Sequence, residues 1–281
     1  MILFNDCVSM GDTLLSFPAM KRVIQRSIEP VYLHWTNEDL AMIFPRRLGH
    51  LIDELPPHSS QQVLRLSVHD FVFRRAEWRE GHDYGHLSAA LYYQWTGESA
   101  PADFIRPEIE FPITDVPAYD FVLVPFALAD AERNWCNDRW RMLIEMLRSE
   151  FAGCSIALAA STRLRRRPRD LCKVLPDPLC RTFIRNTVLV NEANLHTWGV
   201  DLCLDLHIFD LCTLLTKVKV AAITVDTGPS RLMHAIGRPH VLLAHNTVGY
   251  DSVRYPGVRC LWRDLKDISV DDVMNEVKAV A

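Results

Sequence analysis

No run of residues in this chain is long and apolar enough to span a membrane, and the N-terminus lacks a basic region followed by an apolar core. Both absences lead to the expectation of a cytoplasmic protein. No GxGxxG follows the first apolar run at Met1–Phe4, which removes a Rossmann-type oxidoreductase from the candidates. The eight cysteines (Cys7, Cys136, Cys154, Cys172, Cys180, Cys203, Cys212 and Cys260) form no CxxC and no paired metal spacing. Several sit inside apolar runs, so they read as buried reduced thiols. A strong charge excess is also missing. The net charge of −4 argues against bulk nucleic-acid binding. There is no internal repeat and no low-complexity tract. What is left is an ordinary globular composition, 49% hydrophobic and 23% charged. The 281 residues suffice for one large or two modest domains, each with a full core.

The most informative stretch runs from Ala221 to Ala244. Ala222-Ile223-Thr224-Val225 reads as a buried strand and Asp226-Thr227-Gly228 as a tight turn. Pro229 then sits where a helix should begin, a place where its missing N–H costs nothing. The helix carries Leu232, Met233, Ala235 and Ile236 and stops at Gly237, before a second apolar run from His240 to Ala244. Strand, turn, helix and strand in this order form half of an open α/β sheet. A helix start of this kind presents unpaired N–H groups and a partial positive charge, which suits phosphate. Gly228 permits close approach, and Thr227 and Ser230 add hydroxyls. The same residues also suit a plain helix cap, and this stretch alone does not separate the two readings.

Strands are expected at Met1–Phe4, Val31–Trp35, residues 62–68, Phe121–Phe126, Ser155–Ala160, Thr187–Val190 and Val258–Trp262. Leu14, Leu15, Phe17, Met20 and Ile24 recur at helical spacing after the turn Met10-Gly11-Asp12-Thr13, with Asp12 placed as an N-cap and Pro18 an awkward residue in the first turns. A broken helical pattern spans 37–55, and further helices are expected through Trp140, Leu143 and Leu147, over Leu206–Lys217, and from Val270 to the end. The stretch Arg74–Glu80 is basic, carries a tryptophan, and reads as a solvated face or a ligand contact. His82 and His86 have metal-like spacing without a third ligand at a familiar distance. The arginine run 163–169 reads as an exposed loop or a contact for an anionic surface. Pro101, Pro107, Pro112 and Pro117 mark a domain boundary. The expected organisation is 1–117, 118–262 and a final segment 263–281: two doubly wound α/β domains facing across a cleft.

Two of these stretches, with a third between them, match one family. Gly11-Asp12 followed by Pro18-Ala19 resembles the N-terminal glycine–aspartate turn and helix of glycosyltransferase family 9, the lipopolysaccharide heptosyltransferases. Val225-Asp226-Thr227-Gly228-Pro229, with Leu232, Ala235, Gly237, Arg238 and Pro239, resembles its donor-phosphate motif. Arg133-Asn134-Trp135 resembles its basic-x-Trp segment. The resemblance implies the GT-B fold, with Rossmann-like acceptor and donor domains and a last helix that crosses back to the first domain. It implies inverting, metal-independent transfer of a sugar from a nucleotide-diphosphate sugar, ADP-heptose being the first candidate. No separate cofactor or metal is implied, in keeping with the lack of a DxD pair. The acceptor would be a lipopolysaccharide-type or other glycan, lipid-linked or growing, with peripheral contact at the inner face of the inner membrane left open.

By the same resemblance, Asp12 is the general base that takes the proton from the acceptor hydroxyl, a role that suits a carboxylate in a cleft. Donor contacts fall to Arg133, Asp226, Thr227, Gly228, Pro229, Ser230 and Arg231, which would stabilise the leaving diphosphate without metal. Gly11, Arg74, Arg75 and Arg79 are the acceptor-side candidates. The chain departs from the family at several places. Arg231 replaces the histidine that usually follows the turn, Cys136 stands at a proline position, and Ala127-Leu128-Ala129 offers no hydroxyls. A Gly-rich segment with an acidic residue after the next strand is not visible; Ala159-Ala160-Ser161-Thr162 stands there instead. The chain is also short for the family, which implies a trimmed acceptor domain. Two alternatives follow: a UDP- or GDP-sugar as donor, or a degenerate member that binds a nucleotide sugar or glycan without turnover.

Overall fold

The computed structural model describes residues 2–5, 10–28, 30–35, 38–48, 50–51, 63–66, 93, 99, 106–127, 133–161, 194–245 and 257–281. The chain divides into two compact units, Met1–Phe111 and Pro112–Ala281. The break falls a few residues before the expected boundary at 117.

In the first unit, β1 (Ile2–Asn5), β2 (Tyr32–Trp35), β3 (His50–Leu51) and β4 (Val63–Leu66) form an all-parallel sheet in the order β3-β2-β1-β4. Helix α1 (Met10–Arg26) follows β1 and buries Leu14, Leu15, Phe17, Ala19, Met20 and Val23. Phe17 meets Phe44 edge-on, with ring centroids 4.9 Å apart. The helix runs through Pro18. It starts two residues before Asp12, so Asp12 lies in its first turn and not at the N-cap expected from the sequence. The helical pattern expected over 37–55 resolves into the short helix α2 (Glu38–Ala41), a 3-10 turn at Arg46–Leu48 and strand β3. Pro45 and Gly49 break the periodicity that a single helix would need. Residues 107–111 are held along this unit. Glu108 bonds Lys21 and Arg47, and the Glu110 N–H donates to the Ile43 carbonyl at 2.8 Å.

In the second unit, β5 (Phe121–Val124), β6 (Ile156–Ala160), β7 (Asp201–Leu204), β8 (Ala221–Val225), β9 (His240–Ala244) and β10 (Val258–Trp262) are all parallel, in the order β10-β9-β8-β5-β6-β7. The strands expected at Phe121, Ser155, Ala222, His240 and Val258 are all present. The one over Thr187–Val190 lies outside the described residues, as do Arg74, Arg75, Arg79, His82, His86 and the arginine run. Strand β7 has no counterpart in the sequence reading. It is an edge strand whose apolar run, Leu202-Cys203-Leu204, is only three residues long and is flanked by Asp201 and Asp205, too short to stand out as a strand.

Among the described residues of this unit there are four α-helices: α3 (Asn137–Glu150), α4 (Ile208–Thr216), α5 (Gly228–Ile236) and α6 (Val270–Val280). The buried residues of α3, Trp140, Leu143, Ile144 and Leu147, follow the i, i+3, i+4, i+7 spacing of one helix face, and so do Val270, Val273, Met274 and Val277 of α6. Both faces join Phe121, Leu123, Ile156, Leu158, Ile223, Val225, Val241 and Leu243 in one core. The C-terminal helix is therefore buried in the second unit, against α3 and β8 to β10. From β5 the sheet grows one way and from β8 the other, so right-handed crossovers set α3 and α5 on opposite faces. Helix α5 ends as expected at Gly237, whose φ of 78° lies in the left-handed region that glycine adopts without strain. Among the described residues, no helix is long and apolar enough to cross a membrane.

His240 opens β9 and is fully buried. Burial pushes its pKa down from 6.5 to about 4, against the smaller upward effect of its bond to the Arg238 carbonyl. The folded chain thus keeps this imidazole neutral where the unfolded chain protonates it. Stability from this group is present above pH 6.5 and is lost as pH falls from there towards 4, by about 3 kcal/mol at most. Urea midpoints of the parent and of His240→Leu, measured between pH 7.5 and 4.5, should show a steeper acid decline for the parent. Equal slopes would remove His240 as the cause.

Candidate functional site

The second sheet reverses between β5 and β8, and open α/β sheets bind ligands beyond the carboxyl ends of the strands at such a reversal. Asp226 leaves the end of β8, its N–H donating to the Leu243 carbonyl at 3.1 Å. Its carboxylate is buried and divides its oxygens between two guanidinium groups. Oδ1 accepts from Arg231 Nη2 at 2.8 Å, and Oδ2 accepts from Arg133 Nη1 at 3.3 Å. The two arginines differ in access: the Arg231 side chain is 6% exposed and that of Arg133 is 25% exposed. Two cations around one anion leave a net positive charge. It stands at the start of α5, where the helix dipole adds to it.

The segment that delivers Arg133 is anchored at the next two residues. Asn134 Oδ1 accepts from the Ala127 N–H at 2.6 Å. The Trp135 indole donates to the Ile268 carbonyl at 3.0 Å and stands edge-on to Trp140, with centroids 5.2 Å apart. Arg139 Nη1 donates to the same carbonyl at 2.8 Å and to Leu265 O at 3.1 Å. Trp135 is 2% exposed and is part of the core. The basic-x-Trp segment therefore works by division of labour: the tryptophan holds the loop, and the arginine is carried to Asp226.

At the helix start, Thr227 is extended (φ −151°), and Gly228 and Pro229 open α5. Ser230 is fully buried; its hydroxyl donates to the Thr227 carbonyl at 2.6 Å and accepts from the Thr227 N–H at 3.4 Å. Its own N–H donates to the same carbonyl at 3.1 Å. Ser230 thus closes the cap from within, and its hydroxyl proton is not turned outward as the sequence reading expects. With no N–H on Pro229, the Gly228 amide is the donor of this turn that meets no acceptor among the described residues. Beneath the turn, burial pushes the Cys260 thiol up to about 12, so it stays a neutral thiol.

One carboxylate at this edge was missed. Asp205 follows β7 with φ 52°, a strained value for a non-glycine residue, and accepts from Ser161 Oγ at 3.1 Å at the end of β6. Its amide donates to the Ala160 carbonyl at 2.9 Å. The sequence reading looks for an acidic residue directly after β6 and finds none. The fold supplies one from the neighbouring strand, 44 residues away.

The remaining site residues lie in the first unit. Gly11 and Asp12 occupy the first turn of α1, after the carboxyl end of β1, where the first sheet reverses between β1 and β4. Arg74, Arg75 and Arg79 are outside the described residues. Among the described residues, no three His, Cys, Asp or Glu side chains converge as metal ligands.

No protein-family model and no curated protein matches this sequence. Solved structures do. A glycosyl transferase family 9 protein from Veillonella parvula matches with a TM-score of 0.64 at 12% identity, over 99% of this chain and 96% of that one. The ADP-heptose lipopolysaccharide heptosyltransferase II of E. coli matches with a TM-score of 0.62 at 13% identity, over 99% and 98%. The iron-containing dodecameric glycosyltransferase TibC of enterotoxigenic E. coli matches with a TM-score of 0.58 at 14% identity, and this chain spans 61% of its length. In fold, the chain is similar to the heptosyltransferases and to glycosyltransferase family 9, as the motifs at Asp12, Arg133 and Asp226 lead one to expect.

Proposed function

We propose that this chain is an inverting, metal-independent glycosyltransferase with the GT-B arrangement. It moves a sugar, heptose first among the candidates, from a nucleotide-diphosphate sugar to a lipopolysaccharide-type or other glycan acceptor. The observation that carries this reading is the Arg133–Asp226–Arg231 cluster, set at a helix start on the reversal of a Rossmann-ordered sheet. A diphosphate there meets the Arg133 guanidinium, the Gly228 amide and the positive end of α5, which stabilise it as it leaves. The nucleoside extends along the carboxyl edge of the sheet, where the Asp205 carboxylate suits ribose hydroxyls. In the reaction the acceptor oxygen attacks the anomeric carbon on the face opposite the leaving diphosphate. Asp12 takes its proton as the new bond forms. The similarity to a heptosyltransferase that uses ADP-heptose makes ADP-heptose the first donor to try.

A thermal-shift panel of ADP, UDP, GDP and their sugar conjugates, with and without magnesium, tests the reading. A ligand at one hundred times its Kd stabilises the folded state by about 2.7 kcal/mol. The expected result is a shift with one nucleotide family, equal with and without magnesium. No shift with any of them would return the Asp226 turn to the status of a helix cap.

A further inference from the structure

The arginine that takes the family's histidine position faces away from solvent. Arg231 is as buried as the carboxylate that it bonds, so the group best placed to meet a ligand in this cluster is Arg133. Asp226 stands between them, one oxygen to each. Its backbone is fixed by β8 and by the bond to Leu243 O, and Arg231 fixes its carboxylate from below. Carboxylate–guanidinium bonds are directional, so a locked carboxylate sets the plane and position of the guanidinium on its other oxygen. The loop of Arg133 is held independently by Asn134 and Trp135. Backbone and guanidinium are thus fixed from two directions.

We infer that Asp226 and Arg231 are positioning residues: they form a buried relay that aims Arg133 at the donor diphosphate and do not bind the donor themselves. This inference rests on the proposed donor site and changes the roles within it. The carboxylate of the family-like turn does not reach for the sugar; both of its oxygens serve arginines. Arg231 contributes by holding Asp226. Loss of the relay should therefore act on diphosphate affinity only through Arg133.

The test is a double-substitution cycle read by calorimetric binding of ADP, UDP or GDP, whichever the parent binds, to the full-length chain. Arg133→Met should weaken binding by about tenfold or more, the worth of a charge-assisted bond. Asp226→Asn, which keeps the size of the side chain and loses its charge, should weaken binding by a similar factor. The double variant Arg133→Met/Asp226→Asn should bind no more weakly than Arg133→Met alone, because the second change acts only through the first. Losses that multiply in the double variant would show that Asp226 touches the donor, and would overturn the relay. Arg231→Met leaves a buried carboxylate with one partner fewer and is vulnerable to misfolding. Arg231→Lys keeps the charge, and its affinity loss should vanish in the Arg133→Met background. A loss that persists there would place Arg231 on the ligand and overturn the inference. If the folded parent binds none of the three nucleotides, the donor site itself falls; if it binds and the cycle is additive, only the relay falls.

Discussion

Asp12→Ala should lower turnover by about 10²–10⁴-fold and leave nucleoside-diphosphate affinity unchanged. Displacement at the anomeric carbon needs the acceptor proton to leave as the new bond forms, and that proton transfer is the part of the barrier a positioned carboxylate removes. The backbone setting of Asp12 suits the task. It lies in the first turn of α1, just beyond the carboxyl end of β1, at the reversal of the first sheet. The donor cluster belongs to the other unit, which predicts a clean separation of effects. Asp12→Ala should act on kcat, and Arg133→Met on the affinity for the diphosphate. Asp12→Asn, with the same shape and no basicity, should be as slow as Asp12→Ala. Initial rates of nucleoside-diphosphate release from the sugar donor, with calorimetric binding alongside, measure both. Wild-type turnover in either variant would remove Asp12 from the mechanism.

Trp135→Ala should produce the largest loss of stability among single changes near the donor site, about 3–5 kcal/mol. The indole is 2% exposed, sits edge-on to Trp140, and bonds the Ile268 carbonyl ahead of α6. Its removal opens a cavity between α3 and the loop before the last helix. For a unit of this size the loss corresponds to roughly 10 °C or more in Tm. Trp135→Phe keeps most of the packing and loses the indole donor. Arg139 still serves the Ile268 carbonyl, so that variant should cost about 1 kcal/mol. Thermal unfolding of the three proteins decides the matter. A Tm for Trp135→Ala equal to that of the parent would mean that the loop carrying Arg133 is anchored elsewhere. Should the indole be the anchor, Trp135→Phe retains donor affinity where Trp135→Ala loses it.

Much of the second unit was legible in the sequence because local chemistry and the final fold agree. The apolar runs at Phe121, Ala222 and His240 are interior strands buried along their whole length, so they read as strands without further help. Pro229 and Gly237 bracket α5, since few residues other than these suit a helix start without an N–H and a left-handed end. The order Asp12, Arg133, Asp226 along the chain was enough to suggest a family whose solved structures this chain resembles in fold. Strand β7 was not legible, because its apolar run Leu202-Cys203-Leu204 is only three residues long between two aspartates. Nor was β3, hidden in a broken helical pattern around Pro45.

The sequence by itself determined the α/β class, the two-part organisation and which residues are candidates for the site, because all of these follow from periodicity, turn chemistry and motif order. Only the tertiary structure decided what the candidates do to one another. Arg133 and Asp226 lie 93 residues apart, and Ser161 and Asp205 44 apart, so no local pattern could pair them. Arg231 and Asp226 are close in sequence, yet whether such an arginine faces a ligand or the core depends on which side of α5 the sheet covers. Here the fold buries α5 from Ser230 to Ala235, Arg231 included, and a buried guanidinium must find a carboxylate. That requirement ties Arg231 to Asp226 and leaves Arg133 as the more exposed cation of the pair.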